Sequence, residues 1–142
     1  MLRAVLDTNV LASGFRGYGD ERSTPGEILR RWSNGAFALV ISEVILDELR
    51  RTFADRYFAE RLSAQQQAGN IELLRREAQV VPITHELHGI ATHPEDDLIL
   101  STALSARADV LVTGDRQLLR LRQCEGVAIL SPRGFLDVLE GG

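Results

Sequence analysis

The sequence predicts an α/β domain: a parallel sheet covered by helices on both faces. Two observations carry this. Short apolar runs of strand length alternate with stretches of helical period through most of the chain. Helix-start signals stand directly after two of those runs, Ser42 in one case and Ser131-Pro132 in the other. No repeat, low-complexity segment or long linker divides the sequence, so a single domain over residues 1–142 is expected.

Taken in order, Ala4–Leu6 reads as a buried strand ending at Asp7. A polar, glycine-rich loop is expected from about Ser13 to Ser23. Thr24-Pro25 then opens a helix with Ile28, Leu29 and Trp32 on its apolar side, and Gly35 ends it. Phe37–Ile41 is the second strand. The helix capped by Ser42 carries Val44, Ile45, Leu46, Leu49 and Phe53. Residues 57–78 are helical in pattern, with a break expected at Gly69-Asn70. Gln79–Ile83 is a third strand, placed at a sheet edge by Pro82. A loop from His85 to Glu95 leads to a helix from about Asp96 to Arg107. The fourth strand is Asp109–Thr113, followed by Gly114 and a short helix with Leu118, Leu119 and Leu121. Val127–Leu130 is the fifth strand, and Ser131-Pro132 opens a last helix with Phe135, Leu136 and Leu139.

Composition removes several functions. The chain has 16 basic residues, all arginine, against 20 acidic ones, for a net charge of -4. This balance argues against nucleic-acid binding through bulk positive charge. With no lysine, neither a P-loop nor a lysine Schiff base can be built. The same lack argues against a phosphate-receiver domain, which uses a strand-end lysine. Dehalogenase-type phosphotransfer needs an aspartate two residues after the first, where this chain has Asn9. The single cysteine, Cys124, can form neither an intrachain disulfide nor a zinc cluster, and fits a reducing compartment. The N-terminus lacks the pattern of a signal peptide, and no apolar run approaches the roughly 20 residues of a membrane helix. A cytoplasmic protein is expected. His85, His88 and His93 fall close together, but no cysteine is near and their segment reads as loop.

Acidic residues gather where an open parallel sheet binds ligands, beyond the carboxyl ends of its strands. Asp7 ends the first strand, with Thr8-Asn9 directly after it. Asp115 follows the fourth in Val112-Thr113-Gly114-Asp115. If the winding reverses after strand three, the two aspartates face one crevice. An aspartate in such a place also serves as an ordinary helix cap. Glu48 lies among the apolar residues of its helix, where a carboxylate is costly unless paired, with Arg51 at i+3, or bound to a cation. Pro94-Glu95-Asp96-Asp97 opens the helix before strand four, where acids are favoured by the helix dipole. Asp96 shares a face with Ile99, Leu100 and Ala103 and is the preferred candidate. Asp97, on the face of Leu100, Ser101 and Leu104, is the second choice.

With these residues in view, the chain resembles the PIN-domain nucleases, and among them the toxins of bacterial toxin–antitoxin pairs. The matching pieces are Val5-Leu6-Asp7-Thr8-Asn9-Val10-Leu11, Ser42-Glu43 with Glu48, Pro94-Glu95-Asp96-Asp97, Leu111-Val112-Thr113-Gly114-Asp115, and Ile129 to Leu136. The resemblance implies a three-layer sandwich around a five-stranded parallel sheet of order 3-2-1-4-5. It implies Mg²⁺- or Mn²⁺-dependent hydrolysis of RNA, a protein antitoxin as partner, and often a homodimer. Asp7, Glu48, Asp96 and Asp115 match the metal-binding acids, and Asn9 and Thr113 match supporting positions. Asp97 leaves the third acid open by one residue. Chemically, converging carboxylates and an anionic phosphodiester both call for a hard divalent cation. Such a site attacks with water, leaves a 5′-phosphate, and does not need a 2′-hydroxyl. Candidates for holding the substrate are Arg16, Tyr18 and Arg22 in the first loop, and Arg50, Arg51 and Arg116 beside the acids. The alternatives are a PIN-like interaction module without activity, against which the intact acids argue, and a PIN nuclease of RNA processing outside a toxin–antitoxin pair.

Overall fold

The computed structural model of the chain describes residues 1–141. Six strands form one sheet: β1 Arg3–Leu6, β2 Ala38–Ile41, β3 Gln79–Val80, β4 Val110–Val112, β5 Gln123–Cys124 and β6 Val127–Leu130. Their order is β3-β2-β1-β4-β6-β5. All neighbours are parallel except β5 and β6. The winding reverses between β1 and β4 as anticipated. The sheet is nonetheless mixed, because β5 adds an antiparallel edge. Its hairpin turns through Glu125 and Gly126, at φ 49° and 91°. Those left-handed conformations suit a tight turn, and a two-residue strand of Gln and Cys gives no alternation to detect.

Eight helices flank the sheet: α1 Thr8–Arg16, α2 Thr24–Ser33, α3 Glu43–Ala54, α4 Arg56–Ala59, α5 Ala64–Glu77, α6 Pro94–Ala106, α7 Arg116–Leu121 and α8 Pro132–Gly141. Helix α1 takes the first residues of the expected loop, Ser13 to Arg16, and the loop remains from Gly17 to Ser23. Asp7 caps that helix, accepting the Val10 N–H at 2.9 Å, and buried Val10, Leu11 and Ala12 hold it down. No break falls at Gly69-Asn70. The chain turns earlier, where Ser63 and Gln66 form a reciprocal capping box at 3.1 and 2.8 Å and start α5. Ile71 and Leu74 are buried and carry α5 through Gly69, offsetting the roughly 1 kcal/mol cost of a helical glycine. The β3 strand stops at Val80, ahead of Pro82. Among the described residues, no helix is long and apolar enough to cross a membrane.

Helices α1 and α2 meet through glycines. A β-carbon on Gly26 would lie 2.1 Å from the Gly17 carbonyl oxygen. Because that obstacle is backbone, Gly26→Ala is expected to cost about 1–3 kcal/mol. Urea denaturation checks this, and Gly69→Ala, with open space around it, should not destabilise.

The core joins β1, β2 and β4 to Ile45, Leu46 and Leu49 of α3 and to Ile99, Leu100 and Ala103 of α6. Phe37 and Phe135 pack edge-to-face at 5.0 Å and tie α8 to the β2 entry. The result is a rigid sheet whose carboxyl edge presents Asp7 from β1 and the Thr113-Gly114-Asp115 turn from β4.

Candidate metal centre

Asp7 and Thr113 face each other because β1 and β4 pair in register, Leu6 against Val112. Asp7 is buried, at 5 % exposure. Its Oδ2 accepts the Thr113 hydroxyl at 2.6 Å and the Gly114 N–H at 3.3 Å. Thr113 in turn accepts the Asp115 N–H at 3.0 Å, so one threonine links the two acids. Burial pushes the Asp7 carboxyl above its ordinary range. The hydrogen bonds from Thr113, Val10 and Gly114 oppose that shift, and the Asp115 charge adds to it.

Asp115 caps α7. Its Oδ1 accepts the N–H groups of Gln117 and Leu118, at 2.8 and 3.3 Å. Thr92 grips the same carboxylate through its N–H, at 3.1 Å to Oδ2, and its hydroxyl, at 3.0 Å to Oδ1. Partial burial works to raise this carboxyl, but the hydrogen bonds from Thr92, Leu118 and Gln117 prevail and hold it below its ordinary value. Asp115 is therefore fixed and ionised.

Asp96 behaves in the opposite way. It is half-buried in the first turn of α6, and its carboxyl is pushed up to about 7. Desolvation is the main cause, followed by the negative charges of Asp7 and Asp115, with Glu48 adding a smaller effect. Asp7, Asp96 and Asp115 line one cleft of about 550 Å³, together with Asn9, Ser13, Thr92, His93 and Arg116. A smaller hollow of about 300 Å³ adjoins it and is lined by Glu48, Arg51 and Asp55. Asn9, His93 and Asp96 border both. The four acids thus lie along one continuous groove, with Asp96 at its middle.

The choice between adjacent aspartates is physical. Asp97 is buried at 6 % exposure, and its carboxylate is consumed by backbone. It accepts the N–H groups of Gly89, Ile90 and Ala91 at 2.9, 2.9 and 2.6 Å. Asp96 is left facing the groove. Sharing a face with Ile99, Leu100 and Ala103 does not make Asp96 the deeper of the two, because α6 is buried on nearly every side and its faces do not separate inside from outside.

Among the described residues, none of Asp7, Glu48, Asp96 and Asp115 makes an ion pair. The anticipated Glu48–Arg51 pair does not form, although both side chains line the smaller hollow. No three acidic, histidine or cysteine side chains among the described residues stand close enough to hold one ion as they are. The carboxylates line the groove rather than closing on a point.

The proposed substrate-holding residues divide. Arg116 lines the cleft and Arg51 the adjoining hollow. Arg50 pairs with Asp47 at 2.8 Å and lines a separate depression with Phe53 and Arg75. Tyr18 sits with Phe15, Leu29 and Trp32 in an apolar hollow. Arg16 and Arg22 line neither part of the groove, and Arg22 lies 3.6 Å from Asp20. Thr92 and His93 were not singled out for this site. The only signal for them is that they directly precede Pro94, at the mouth of α6. Of the other histidines, His85 lies 3.4 Å from Glu125 and His88 lies 4.0 Å from Glu86.

A family model described as the PIN domain matches residues 3–117, the stretch that carries all four acids. The chain belongs to the PIN domain family. No curated protein matches its sequence. Among solved structures, this PIN domain is similar to a chain of VapBC2 from Rickettsia felis, crystallised bound to a DNA fragment from its promoter. The TM-score is 0.58 and the identity 15 %, over 90 % of this chain and 97 % of that one. At that identity the likeness is one of fold.

Proposed function

We propose that this PIN domain is a Mg²⁺- or Mn²⁺-dependent endoribonuclease, the toxin of a toxin–antitoxin pair. The observation that carries the reading is the groove itself. Four carboxylates from four separate elements share it, none of them in an ion pair, and Asp96 is pushed to about 7 by desolvation first and then by the charges of Asp7 and Asp115. Such repulsion costs stability and answers no need of the fold. The donor set fits the metal: it is all oxygen, hard and anionic, open enough to leave water on the ion. Asp7, Asp96 and Asp115 would hold it from the cleft, with Glu48 reaching from the hollow. Bound there, a divalent cation supplies an acidified water and neutralises charge on the phosphate.

The residues of the chain do the rest. Thr113 and Gly114 hold Asp7 in one orientation. Thr92 and the α7 amides hold Asp115 as a carboxylate. Asp96 changes protonation near neutrality and is the acid that responds when a cation arrives. Arg116 lines the cleft and Arg51 the hollow, where each would be available to a phosphate of the substrate. A protein antitoxin is part of the same proposal, supported by the likeness in fold to VapBC2.

Cleavage of defined single-stranded RNAs with added Mn²⁺, beside DNAs of the same sequence, tests the reading. Cleavage of RNA that stops on chelation and returns with Mn²⁺ is expected. Cleavage that survives chelation, or none across a broad set of RNAs, would overturn it.

A further inference from the structure

The segment between β3 and α6 forms neither helix nor strand, yet it delivers Thr92 and His93 to the groove. Its backbone N–H groups therefore need partners outside any ladder. They find them in three side chains of α6. Ser105 Oγ accepts the N–H groups of Thr84 and His85, both at 2.9 Å. Ser101 Oγ accepts Leu87 N–H at 2.8 Å and donates to the Asp97 carbonyl at 2.8 Å. Asp97 accepts from Gly89, Ile90 and Ala91. Asp97, Ser101 and Ser105 are spaced by four residues, so they form one row along a single helix face. At the end of this row the chain reaches Thr92, which holds Asp115 with both its N–H and its hydroxyl. Gln117 closes the contact by donating to the Ile90 carbonyl at 2.8 Å.

We propose that Asp97, Ser101 and Ser105 are positioning residues: an acceptor row that lays residues 84–91 on α6 and so sets Thr92 against Asp115. The dependence runs one way. The row fixes the segment, the segment places Thr92, and Thr92 orients an acid of the groove. Asp97 thus acts on the site through backbone, not by touching a metal or substrate. An aspartate suits the task because an ionised carboxylate accepts several N–H bonds at once. An asparagine would offer one oxygen and turn a donor toward other donors.

Amide hydrogen exchange on the metal-free full chain reads this dependence directly. Asp97→Asn is expected to speed exchange at Gly89, Ile90, Ala91 and Thr92 by about tenfold or more, with the amides of β1 and β4 unchanged. Asp115→Asn should release Thr92 while residues 89–91 stay protected. The proposal is overturned if Thr92 stays protected in Asp97→Asn, or if Asp115→Asn releases residues 89–91 as well. Should Asp97→Asn fail to fold, the Ser101→Ala/Ser105→Ala pair decides: Thr84, His85, Leu87 and Thr92 must all lose protection together.

The effect on metal rests on the nuclease reading. There, Asp97→Asn should raise the Mn²⁺ concentration for half-maximal cleavage about tenfold while keeping the maximal rate. Asp96→Asn should lose the rate at any Mn²⁺ concentration. An unchanged Mn²⁺ requirement with Thr92 released would overturn the positioning role. A wild type with no Mn²⁺-dependent cleavage would instead overturn the nuclease reading and leave the exchange result standing.

Discussion

Asp96→Asn is expected to lower RNA cleavage by roughly a hundred- to a thousandfold and, in the absence of metal, to make the protein more stable. Both effects come from one carboxylate. It lies between the cleft and the hollow, where it would touch a cation held by either side. Without a cation it is a half-buried charge facing Asp7 and Asp115. An isosteric amide removes that repulsion and keeps the shape. The sign follows from linkage. Asp96 titrates near 7 in the folded chain and near the ordinary value of 3.8 when unfolded. The folded state thus binds the extra proton, and stability is lost as pH rises from about 4 to 7. The advantage of Asp96→Asn should open across that window and be complete above it. After allowance for solvent at a half-open site, it should reach about 1 kcal/mol. Urea denaturation in chelator at pH 4 and pH 8 measures it. A variant less stable than wild type at pH 8 would show that the acids are not in conflict.

Mn²⁺ affinity is expected to fall about tenfold between pH 8 and pH 6. A proton and a cation compete for Asp96, and a group titrating near 7 is about nine-tenths ionised at pH 8 and one-tenth at pH 6. Asp7, also raised by burial, should add to the loss as pH falls. Asp115 should not contribute, since its hydrogen bonds keep it ionised throughout. Calorimetric titration with Mn²⁺ at the two pH values, in wild type and Asp96→Asn, checks this. Residual binding in the variant should vary less over the range than in wild type. A flat wild type would separate Asp96 from the metal.

The parts of this site legible in sequence are those set by strand ends. Asp7 and Asp115 terminate apolar runs, and parallel pairing leaves them side by side. Glu48 and Arg51 were readable from pitch, three residues being close to one turn. Arg50 was not, since sequence proximity to Glu48 hides a rotation of about 200° away from it. Helix α1 was hidden by its polar start, because Thr8-Asn9 and Gly14 resemble a loop until Val10 and Leu11 are seen to meet the core. Thr92 was unreadable for a different reason. Its role depends on where three side chains of α6 lay an irregular backbone, and no periodicity in residues 84–93 records that.

The Thr113–Asp7 hydrogen bond has a further meaning. It joins positions 106 apart in sequence, across the β1–β4 pairing on which the whole groove is built. Closing so long a loop is slow compared with forming local helices. Asp7 leaves the ribosome early, but the groove has no second wall until the Thr113-Gly114-Asp115 turn has been synthesised and docked. A nascent chain, or one cut short before that turn, lacks Asp115 and with it one wall of the groove, and on the proposed reading has no nuclease activity however well its first helices fold. Formation of the groove is thus a late step, tied to the docking of β4 on β1 rather than to the folding of any one helix.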